Sequence, residues 1–353
     1  MLTYLNDDIK QIVHGLGDFV QEFSNSSVLL TGASGFLGKY FIAVLAEIKR
    51  QFPNSRLKVV AIDNHTTSHR KDLVQADVGE HVEWIYADAK IANELPGKFD
   101  YIIHAAGIAS PQHYRARPLE TIYVAVDVTR SLLERAKRDN ARFLFFSSSE
   151  IYGDPVPDAV PTKETYRGNV TSRGPRACYD ESKRLGETLC WIYSESYNVH
   201  ASVVRPFNVY GPGMMPTDYR VLPNFAWSIS TGKEISIYGN GLQTRTFCYI
   251  TDAILGFLKV LVQSETPDVF NVGNPKPEIN INDLVKVIGK VLVIEPKIIH
   301  VNYPESYPAD EPMRRCPDIA KLEEALGYSP KVDLEEGLKR FFRWSEIYYN
   351  QIK

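Results

Sequence analysis

A glycine-rich turn constrains the fold of this chain more than any other feature of its sequence. The turn reads Gly32-Ala-Ser-Gly35-Phe-Leu-Gly38, and it joins a short apolar run, Val28 to Leu30, to an apolar-periodic segment that ends near Lys49. Glycines at this spacing let a strand turn sharply into a helix, and the helix N-terminus offers N–H donors and positive potential to a phosphate. The turn therefore predicts a strand-turn-helix unit that binds a dinucleotide.

Further apolar runs alternate with helix-length segments after this turn. Strands are predicted at Leu57 to Ile62, Val82 to Tyr86, Tyr101 to His104 and Arg142 to Ser147. Strands that alternate with helices form parallel sheets covered on both faces, so we expect an α/β fold with a Rossmann-type doubly wound parallel sheet. Beyond Pro206, clusters of glycine and proline separate shorter apolar runs, which predicts a smaller mixed α/β substrate-binding lobe.

The expected domain order follows from these changes of pattern. Residues 1–24 carry apolar positions at helical spacing, and they predict an amphipathic helix packed on the protein or on a subunit neighbour. Residues 25–205 are expected to form the dinucleotide-binding domain, to which the chain returns at about 243–275. Residues 206–242 and 276–353 are expected to form the substrate-binding lobe.

A carboxylate follows the second predicted strand, where a dinucleotide needs one. Asp63 lies 25 positions beyond Gly38 and can accept hydrogen bonds from the adenosine ribose hydroxyls. An acid here repels a ribose phosphate, which favours NAD over NADP as the cofactor. The residues expected to bind the cofactor lie in the turn, at the strand ends and in the catalytic helix: Gly32, Ser34, Gly35, Phe36, Leu37, Gly38, Asp63, Asn64, Asp88, Ala89, Ala105, Ala106, Gly107, Tyr179, Lys183 and Pro206.

Composition excludes several other classes of function. The 40 basic and 43 acidic side chains give a formal net charge of -3, so there is no basic excess for nucleic acid. The chain has no apolar run of about 18 residues, and its first residues lack the order of a signal peptide, so we expect a cytoplasmic protein without a membrane role. The four cysteines are far apart and form no CxxC pair, which predicts no metal site.

A tyrosine and a lysine in the string Tyr-Asp-Glu-Ser-Lys are candidates for proton transfer. Tyr179 and Lys183 stand one helical turn apart, so their side chains face the same way. The ammonium group can lower the pKa of the phenol and hold a ribose, and the phenolate can then remove a proton from a sugar hydroxyl. Ser148, in a run of three serines at a strand end, is placed to hydrogen-bond the same oxygen.

Several strings together carry a family resemblance. GASGFLG, Asp63, SSSEIYGDP, YDESK, RPFNVYGP and GLQTRTFCYITD resemble the extended short-chain dehydrogenase/reductase family of nucleotide-sugar enzymes, the NAD-dependent epimerases and dehydratases. The resemblance runs from about Ser27 to the C-terminus and leaves the N-terminal helix outside it. Within the family, GPRACYDE and QTRTF are most similar to the decarboxylases that act on UDP-glucuronate.

The resemblance implies decarboxylation of UDP-glucuronate through oxidation at C4. NAD⁺ would accept the C4 hydride while Tyr179, aided by Ser148 and Lys183, takes the hydroxyl proton. The new 4-keto group lies beta to the C6 carboxylate, so carbon dioxide is lost and leaves an enolate. Protonation at C5 and return of the hydride then give a UDP-pentose, UDP-xylose. Glu150 is expected near C5. Ser149 is neutral where 4,6-dehydratases carry an acid, and an acid there would repel the glucuronate carboxylate.

The resemblance also implies where the sugar nucleotide is bound and how subunits pair. The expected substrate-binding residues are Tyr114, Arg176, Asn208, Arg220, Tyr238 and Arg245. Arg173 is either a further cation near the substrate or a surface residue, Arg314 and Arg315 either reach phosphate or are solvated, and Asp252 is expected to start a helix. The family pairs two helices from each subunit, which predicts a homodimer through the helices after Tyr114 and around Tyr179.

The chain also departs from the family pattern, and alternatives remain. Relatives usually carry Asn and Gly at the positions of Ala125 and Val128, and the loop after Asn64 lacks their glycine-rich form. A 4,6-dehydratase or 4-epimerase acting on another nucleotide sugar is the first alternative. The second is a non-catalytic NAD-binding regulatory protein, for which the retained Ser148, Tyr179 and Lys183 would have no use.

Overall fold

The computed structural model describes residues 2–67, 79–303 and 312–351 of the chain. Fourteen strands lie within these residues. In chain order they are β1 (Ser27–Thr31), β2 (Lys58–Asp63), β3 (Val82–Tyr86), β4 (Tyr101–His104), β5 (Arg142–Phe146), β6 (Ala201–Pro206), β7 (Val209–Tyr210), β8 (Ile235–Tyr238), β9 (Thr244–Arg245), β10 (Cys248–Tyr249), β11 (Val269–Val272), β12 (Ile279–Asn280), β13 (Ile298–Val301) and β14 (Arg314–Arg315).

The same described residues contain twelve α-helices. They are α1 (Leu2–Leu16), α2 (Val20–Ser24), α3 (Phe36–Gln51), α4 (Pro111–Ala116), α5 (Pro118–Tyr123), α6 (Thr129–Asp139), α7 (Ala177–Tyr197), α8 (Val221–Ser230), α9 (Ile250–Gln263), α10 (Ile281–Leu292), α11 (Ala320–Leu326) and α12 (Leu334–Gln351). None of the helices in the described ranges is long and apolar enough to cross a membrane.

Seven parallel strands form the central sheet, in the order β11-β6-β5-β4-β1-β2-β3. The chain builds outward from β1 in one direction and from β4 in the other, so the sheet reverses its order between these two strands. In open α/β sheets, ligands bind beyond the carboxyl ends of the strands at such a point. The predicted doubly wound parallel sheet is confirmed, and its reversal point lies next to the glycine-rich turn.

The N-terminal segment packs on the outside of this sheet in two helical pieces. The predicted single helix over residues 1–24 is interrupted by a 3₁₀ turn, Gly17–Phe19, between α1 and α2. Gly17 has a φ of +56°, a conformation that glycine adopts without a steric penalty, and it ends the first helix. The buried side of α1 includes Ile9, Ile12 and Val13, and it lies against α3 and α9.

Small sheets gather the segments that follow Pro206. β10 pairs with β7, β13 pairs with β8, and β9 lies between β12 and β14. The parallel register of β14 on β9 places Arg315 directly beside Arg245. These two-residue strands bring arginines from distant parts of the sequence to one place.

The helical segment that runs from α5 to α6 contains a π-turn, Val124–Val128. Ala125 and Val128, the two departures from the family pattern, both lie inside this turn and are buried. The Thr129 hydroxyl donates to the carbonyl of Ala125 at 2.8 Å, which satisfies one carbonyl that the wider turn frees. The departures therefore fall at an irregularity of the helix rather than on its surface.

Candidate active site

The glycine-rich turn is packed against the end of β4. Gly32 has a φ of +73°, and a Cβ atom there would lie 2.6 Å from the amide nitrogen of Ala106. A Cβ atom on Gly38 would lie 2.2 Å from the carbonyl oxygen of Gly32. Both separations are shorter than any real contact, so only glycine allows α3 to start this close to the sheet.

Asp63 at the end of β2 fixes the turn by hydrogen bonds. Its carboxylate accepts from the Ser34 amide at 2.9 Å and from the His65 amide at 2.7 Å. The His65 ring stacks on Tyr86 with centroids 5.2 Å apart. The Ser34 hydroxyl is buried and makes no hydrogen bond within the described residues. An unsatisfied hydroxyl at a helix N-terminus is a suitable donor to a phosphate oxygen.

The other expected cofactor residues lie along the same edge of the sheet. Asp88 caps a 3₁₀ turn by accepting from the Lys90 amide at 2.9 Å, and it also accepts from the Tyr123 hydroxyl at 3.3 Å. Asn64 holds its own turn by accepting from the Thr66 amide. The remaining expected residues are small or apolar and follow strand ends or start α3: Phe36, Leu37, Ala89, Ala105, Ala106, Gly107 and Pro206.

Tyr179 lies buried near the start of α7, beside Ser148 at the end of β5. The Ser148 hydroxyl accepts from the Glu150 amide at 3.2 Å and lies beside the Tyr179 phenol. Burial raises the pKa of Tyr179, whereas Ser148 and the nearby Arg220 and Arg176 lower it in part. The structure thus brings the expected serine and tyrosine together, and two cations partly offset the effect of burial on the phenol.

Lys183 is one turn further along α7 and is buried with Tyr179. Its Nζ donates to the carbonyl of Phe146 at 2.6 Å and lies 5.8 Å from the centroid of the Tyr179 ring. Burial lowers the pKa of Lys183 to about 8. A Cβ atom on Gly107 would lie 3.4 Å from this Nζ, so the ammonium group faces the glycine at the end of the β4 loop.

Glu150 lies between two buried arginines. One carboxylate oxygen pairs with Arg176 from the start of α7, and the other pairs with Arg315 from β14. Arg176 also lies 3.5 Å from Asp180. Glu150 therefore has its negative charge offset by two guanidinium groups, in a region where the neighbouring Ser149 is also buried.

Three further expected substrate residues lie around this cluster. Arg245 is buried beside Arg315, and its Nη1 donates to the carbonyl of Thr244 at 2.8 Å. Asn208 reaches the same segment, because its amide group donates to the carbonyl of Thr246 at 2.8 Å. Arg220 forms a two-armed ion pair with Asp218. The arginines thus converge from three separate regions of the chain.

The remaining expected residues divide into two groups. Tyr114 stacks on Tyr179 with ring centroids 5.2 Å apart and belongs to the site. Tyr238 stacks on Tyr303 with ring centroids 5.8 Å apart, in the pair of strands β8 and β13. Arg173 is exposed. Asp252 lies in the first turn of α9, as predicted, where its carboxylate accepts from the Val332 amide at 2.9 Å.

A match to a family model shows which protein family this chain belongs to. The model of the NAD dependent epimerase/dehydratase family matches residues 28–273. The chain belongs to the NAD dependent epimerase/dehydratase family. The match begins within β1 and ends just after β11, so it covers the whole seven-stranded sheet and leaves out α1 and α2.

Curated relatives and solved structures from this family resemble the chain along most of its length. UDP-glucuronic acid decarboxylase 1 of Arabidopsis thaliana is 38% identical over 313 residues, which are 89% of this chain and 68% of the relative. The UDP-N-acetylglucosamine 4-epimerase of Methanobrevibacter ruminantium, solved with UDP-N-acetylmuramic acid, is 26% identical with a TM-score of 0.78 and covers 93% of this chain and 99% of its own.

A second solved epimerase carries both ligand types that matter here. The UDP-glucuronic acid 4-epimerase of Bacillus cereus, solved with UDP-glucuronic acid and NAD, is 25% identical with a TM-score of 0.74. The similarity covers 92% of this chain and the whole of the epimerase. The present chain fits the cofactor of its family, because its turn leaves room for a pyrophosphate and the buried Ser34 hydroxyl lacks a partner among the described residues.

Sequence reasoning left Arg315 undecided, and the structure places it in the epimerase/dehydratase site. It was expected either to reach phosphate or to be solvated, and it is instead buried against Glu150, 165 positions away in sequence. Its neighbour Arg314 points elsewhere and pairs with Glu278 at 2.7 Å. Alternation along a strand separates the two arginines, and only the pairing of β14 with β9 shows which one faces the site.

Proposed function

We propose that this chain decarboxylates UDP-glucuronate to a UDP-pentose, UDP-xylose, using NAD. The observation that carries the proposal is the cluster of buried arginines around Glu150, beside a neutral Ser149. Arg176, Arg245 and Arg315 outnumber the carboxylates of Glu150 and Asp180, and Ser149 adds no further acid to repel a sugar carboxylate. The similarity to UDP-glucuronic acid decarboxylases at 35–38% identity supports this substrate.

Tyr179 is the proposed base for the C4 hydroxyl of the sugar. NAD, when bound, supplies the acceptor and later the donor of the C4 hydride. Ser148 lies beside the Tyr179 phenol, so both oxygens can meet one substrate oxygen. Burial raises the pKa of Tyr179, and Arg220 and Arg176 partly offset this effect, so they stabilise the phenolate form that can accept the sugar proton.

Lys183 is proposed to position the reacting groups and to add positive charge beside the phenol. Its Nζ is held by the Phe146 carbonyl and faces Gly107, where a ribose can approach. Since burial lowers the pKa of Lys183 to about 8, the ammonium form still dominates at neutral pH. A charged Lys183 stabilises a phenolate at Tyr179 more strongly in this buried setting than it would in water.

The steps after oxidation depend on how the site treats a 4-keto acid. Loss of carbon dioxide from the C6 position places negative charge on the C4 oxygen, where Tyr179 and Ser148 can donate hydrogen bonds. Protonation at C5 then converts the enolate to a 4-ketopentose before the hydride returns, and Glu150 is proposed to act near C5. Its pairing with Arg176 and Arg315 holds it in place and offsets its negative charge, so that it does not repel the sugar carboxylate before carbon dioxide leaves.

A product assay tests the proposal directly. The purified chain is incubated with UDP-glucuronate and NAD⁺, and the sugar nucleotides are separated by mass spectrometry. Release of carbon dioxide with formation of UDP-pentose supports the decarboxylase. A product of unchanged mass identifies a 4-epimerase, which the likeness to the Bacillus cereus enzyme makes the second candidate. Loss of water from UDP- or dTDP-glucose alone identifies a 4,6-dehydratase, and NAD binding without turnover of any of them identifies a regulatory protein.

We also infer that the chain acts as two lobes in a homodimer. The segments after Pro206 carry most of the proposed sugar contacts, and the edge of the seven-stranded sheet carries most of the proposed cofactor contacts. On α5 and α7, four apolar side chains are exposed: Leu119, Ile122, Leu185 and Trp191. Such a surface suits a helix pairing between two copies. Sedimentation of a monomer at micromolar concentration would contradict it.

A further inference from the structure

Helix α1 carries a buried carboxylate that takes no part in the proposed reaction. Asp8 is only 4% exposed, although it lies outside the region matched by the family model. Its sequence neighbour Asp7 is exposed on the same helix. Since a buried carboxylate is costly unless it is paired and hydrogen-bonded, the partners of Asp8 show what it is there to hold.

Three elements meet at the Asp8 carboxylate. The Tyr249 hydroxyl, at the end of β10, donates to one oxygen at 2.7 Å. Arg340 of α12 donates to the other at 3.0 Å, and its guanidinium group lies 5.5 Å from the centre of the Tyr249 ring. Burial raises the pKa of Asp8, whereas Tyr249 and Arg340 lower it. Asp8 thus connects the N-terminal helix to the C-terminal helix and to the strand that precedes α9.

Tyr249 leads directly to the arginine cluster. It ends the segment Thr244–Tyr249, which begins with the strand that carries Arg245. Within this segment, the Cys248 amide donates to the carbonyl of Asn208 at 3.2 Å, and the Asn208 side chain donates to the carbonyl of Thr246 at 2.8 Å.

The same segment is bonded to the second arginine strand. The Thr246 amide donates to the carbonyl of Arg315 at 3.2 Å. Asp8 is therefore joined to both arginine strands by a continuous set of short contacts.

The strands in this region are too short to hold their own positions. β7, β9, β10 and β14 contain two residues each, and isolated short strand pairs are marginal in water. Their placement must come from side chains that attach them to larger elements. The Tyr249 hydroxyl on Asp8 provides one such attachment, and it fixes the end of the segment opposite to Arg245.

We infer that Asp8 is a positioning residue for the substrate arginines, acting through Tyr249 on the segment that carries Arg245 and pairs with Arg315. The inference rests on the proposed function, since it assigns to these arginines the sugar nucleotide. It gives the N-terminal helix a role in substrate affinity that is separate from cofactor binding. The cofactor turn, Gly32 to Gly38, has no contact with Asp8 among the described hydrogen bonds and ion pairs.

Asp8→Asn tests this with Asp7→Asn as the matched control, because the two variants make the same change on buried and exposed positions of one helix. The affinity of the full-length protein for UDP-glucuronate is measured by calorimetry, together with its NAD⁺ affinity, KM, kcat and Tm. We expect Asp8→Asn to weaken UDP-glucuronate binding and raise KM by about tenfold, with kcat within about twofold and NAD⁺ affinity unchanged. Asp7→Asn should match the unaltered chain in every measurement.

Tyr249→Phe provides a second test that keeps the ring and the Asp8–Arg340 pair. It should raise KM in the same direction, and the double variant should be little worse than Asp8→Asn alone, because both remove one connection. A lower Tm with unchanged KM and unchanged UDP-glucuronate affinity in both single variants would overturn the inference. Failure of the unaltered chain to bind UDP-glucuronate would instead overturn the proposed function together with it, so the two failures are distinguishable.

Discussion

The cofactor side and the sugar side of this site are built by different means. On the cofactor side, the position of the turn is set by backbone packing, and Gly32 and Gly38 allow contacts that no side chain could make. On the sugar side, Arg176, Arg245 and Arg315 are each no more than 7% exposed, and their placement depends on ion pairs and two-residue strands. Steric fit therefore governs one side and buried charge governs the other, so substitutions should fail in different ways.

Tyr179 lies between the cofactor side and the sugar side, and Tyr179→Phe should have the largest effect on turnover. Tyr179→Phe removes only the phenolic hydroxyl. The ring still stacks on Tyr114 and the glycine turn is unchanged, so NAD⁺ affinity should be nearly unchanged. Turnover should fall by about 10³-fold, since the proton acceptor is lost. Single-turnover kinetics and NAD⁺ titration measure the two quantities. Undiminished turnover would remove Tyr179 from the mechanism.

Gly38→Ala should weaken binding of the cofactor, and Gly35→Ala is its control within the same turn. The added Cβ at position 38 would lie 2.2 Å from the Gly32 carbonyl oxygen, whereas at position 35 it would lie 3.2 Å from that atom, a tight but much less severe contact. NAD⁺ affinity should fall by about 10²-fold for Gly38→Ala and by much less for Gly35→Ala. Equal losses in the two variants, measured by fluorescence titration, would show that packing does not decide binding here.

Glu150→Gln probes the charge balance of the sugar side. The substitution leaves Arg176 and Arg315 facing each other without the carboxylate, so the free energy of unfolding should fall by about 2 kcal/mol. Glu278→Gln is the control, because Glu278 pairs with the more exposed Arg314 and should cost about 0.5 kcal/mol. Urea unfolding compares the two, and similar losses would argue against buried charge as the organising feature.

Lys183→Met tests a smaller effect, the loss of folding stability caused by burying the charged lysine. Burial lowers the pKa of Lys183 from 10.5 to about 8, so between these values the unfolded chain binds the proton that the folded chain has lost. Stability contributed by Lys183 therefore rises with pH across this window, and below pH 8 the charged lysine is a net cost. We expect the methionine variant to be more stable by about 1–2 kcal/mol at pH 7, with the difference shrinking toward pH 10. A gap that does not change with pH would contradict this.

Much of the cofactor side could be predicted from sequence because its determinants are local. The turn, the strand before it and Asp63 lie within 36 residues, and their spacing alone indicates the chemistry. The alternation of apolar runs predicted five of the seven strands of the central sheet, β1 to β5, but not β6 or β11. Ser148 lies beside Tyr179, as expected.

The sugar side could not be predicted to the same extent, because its contacts join distant segments. Nothing in the sequence chose between Arg314 and Arg315, since that choice depends on the register of β14 against β9. The partners of Asp8 are 241 and 332 positions away, and no local pattern connects them. The break at Gly17 and the π-turn are also decided by packing rather than by helical periodicity.

The π-turn between α5 and α6 has a geometric consequence for the outer surface of the molecule. A π-turn contains about one residue more than an α-helical turn, and one residue corresponds to a rotation of about 100° about the axis. The π-turn therefore changes the phase of α5 relative to α6, and α5 carries Leu119, which is 79% exposed. Deleting a single residue here would turn the face that carries Leu119 without moving α6. The number of residues in the π-turn thus sets the direction of the exposed face of α5 without a change in the packing of α6.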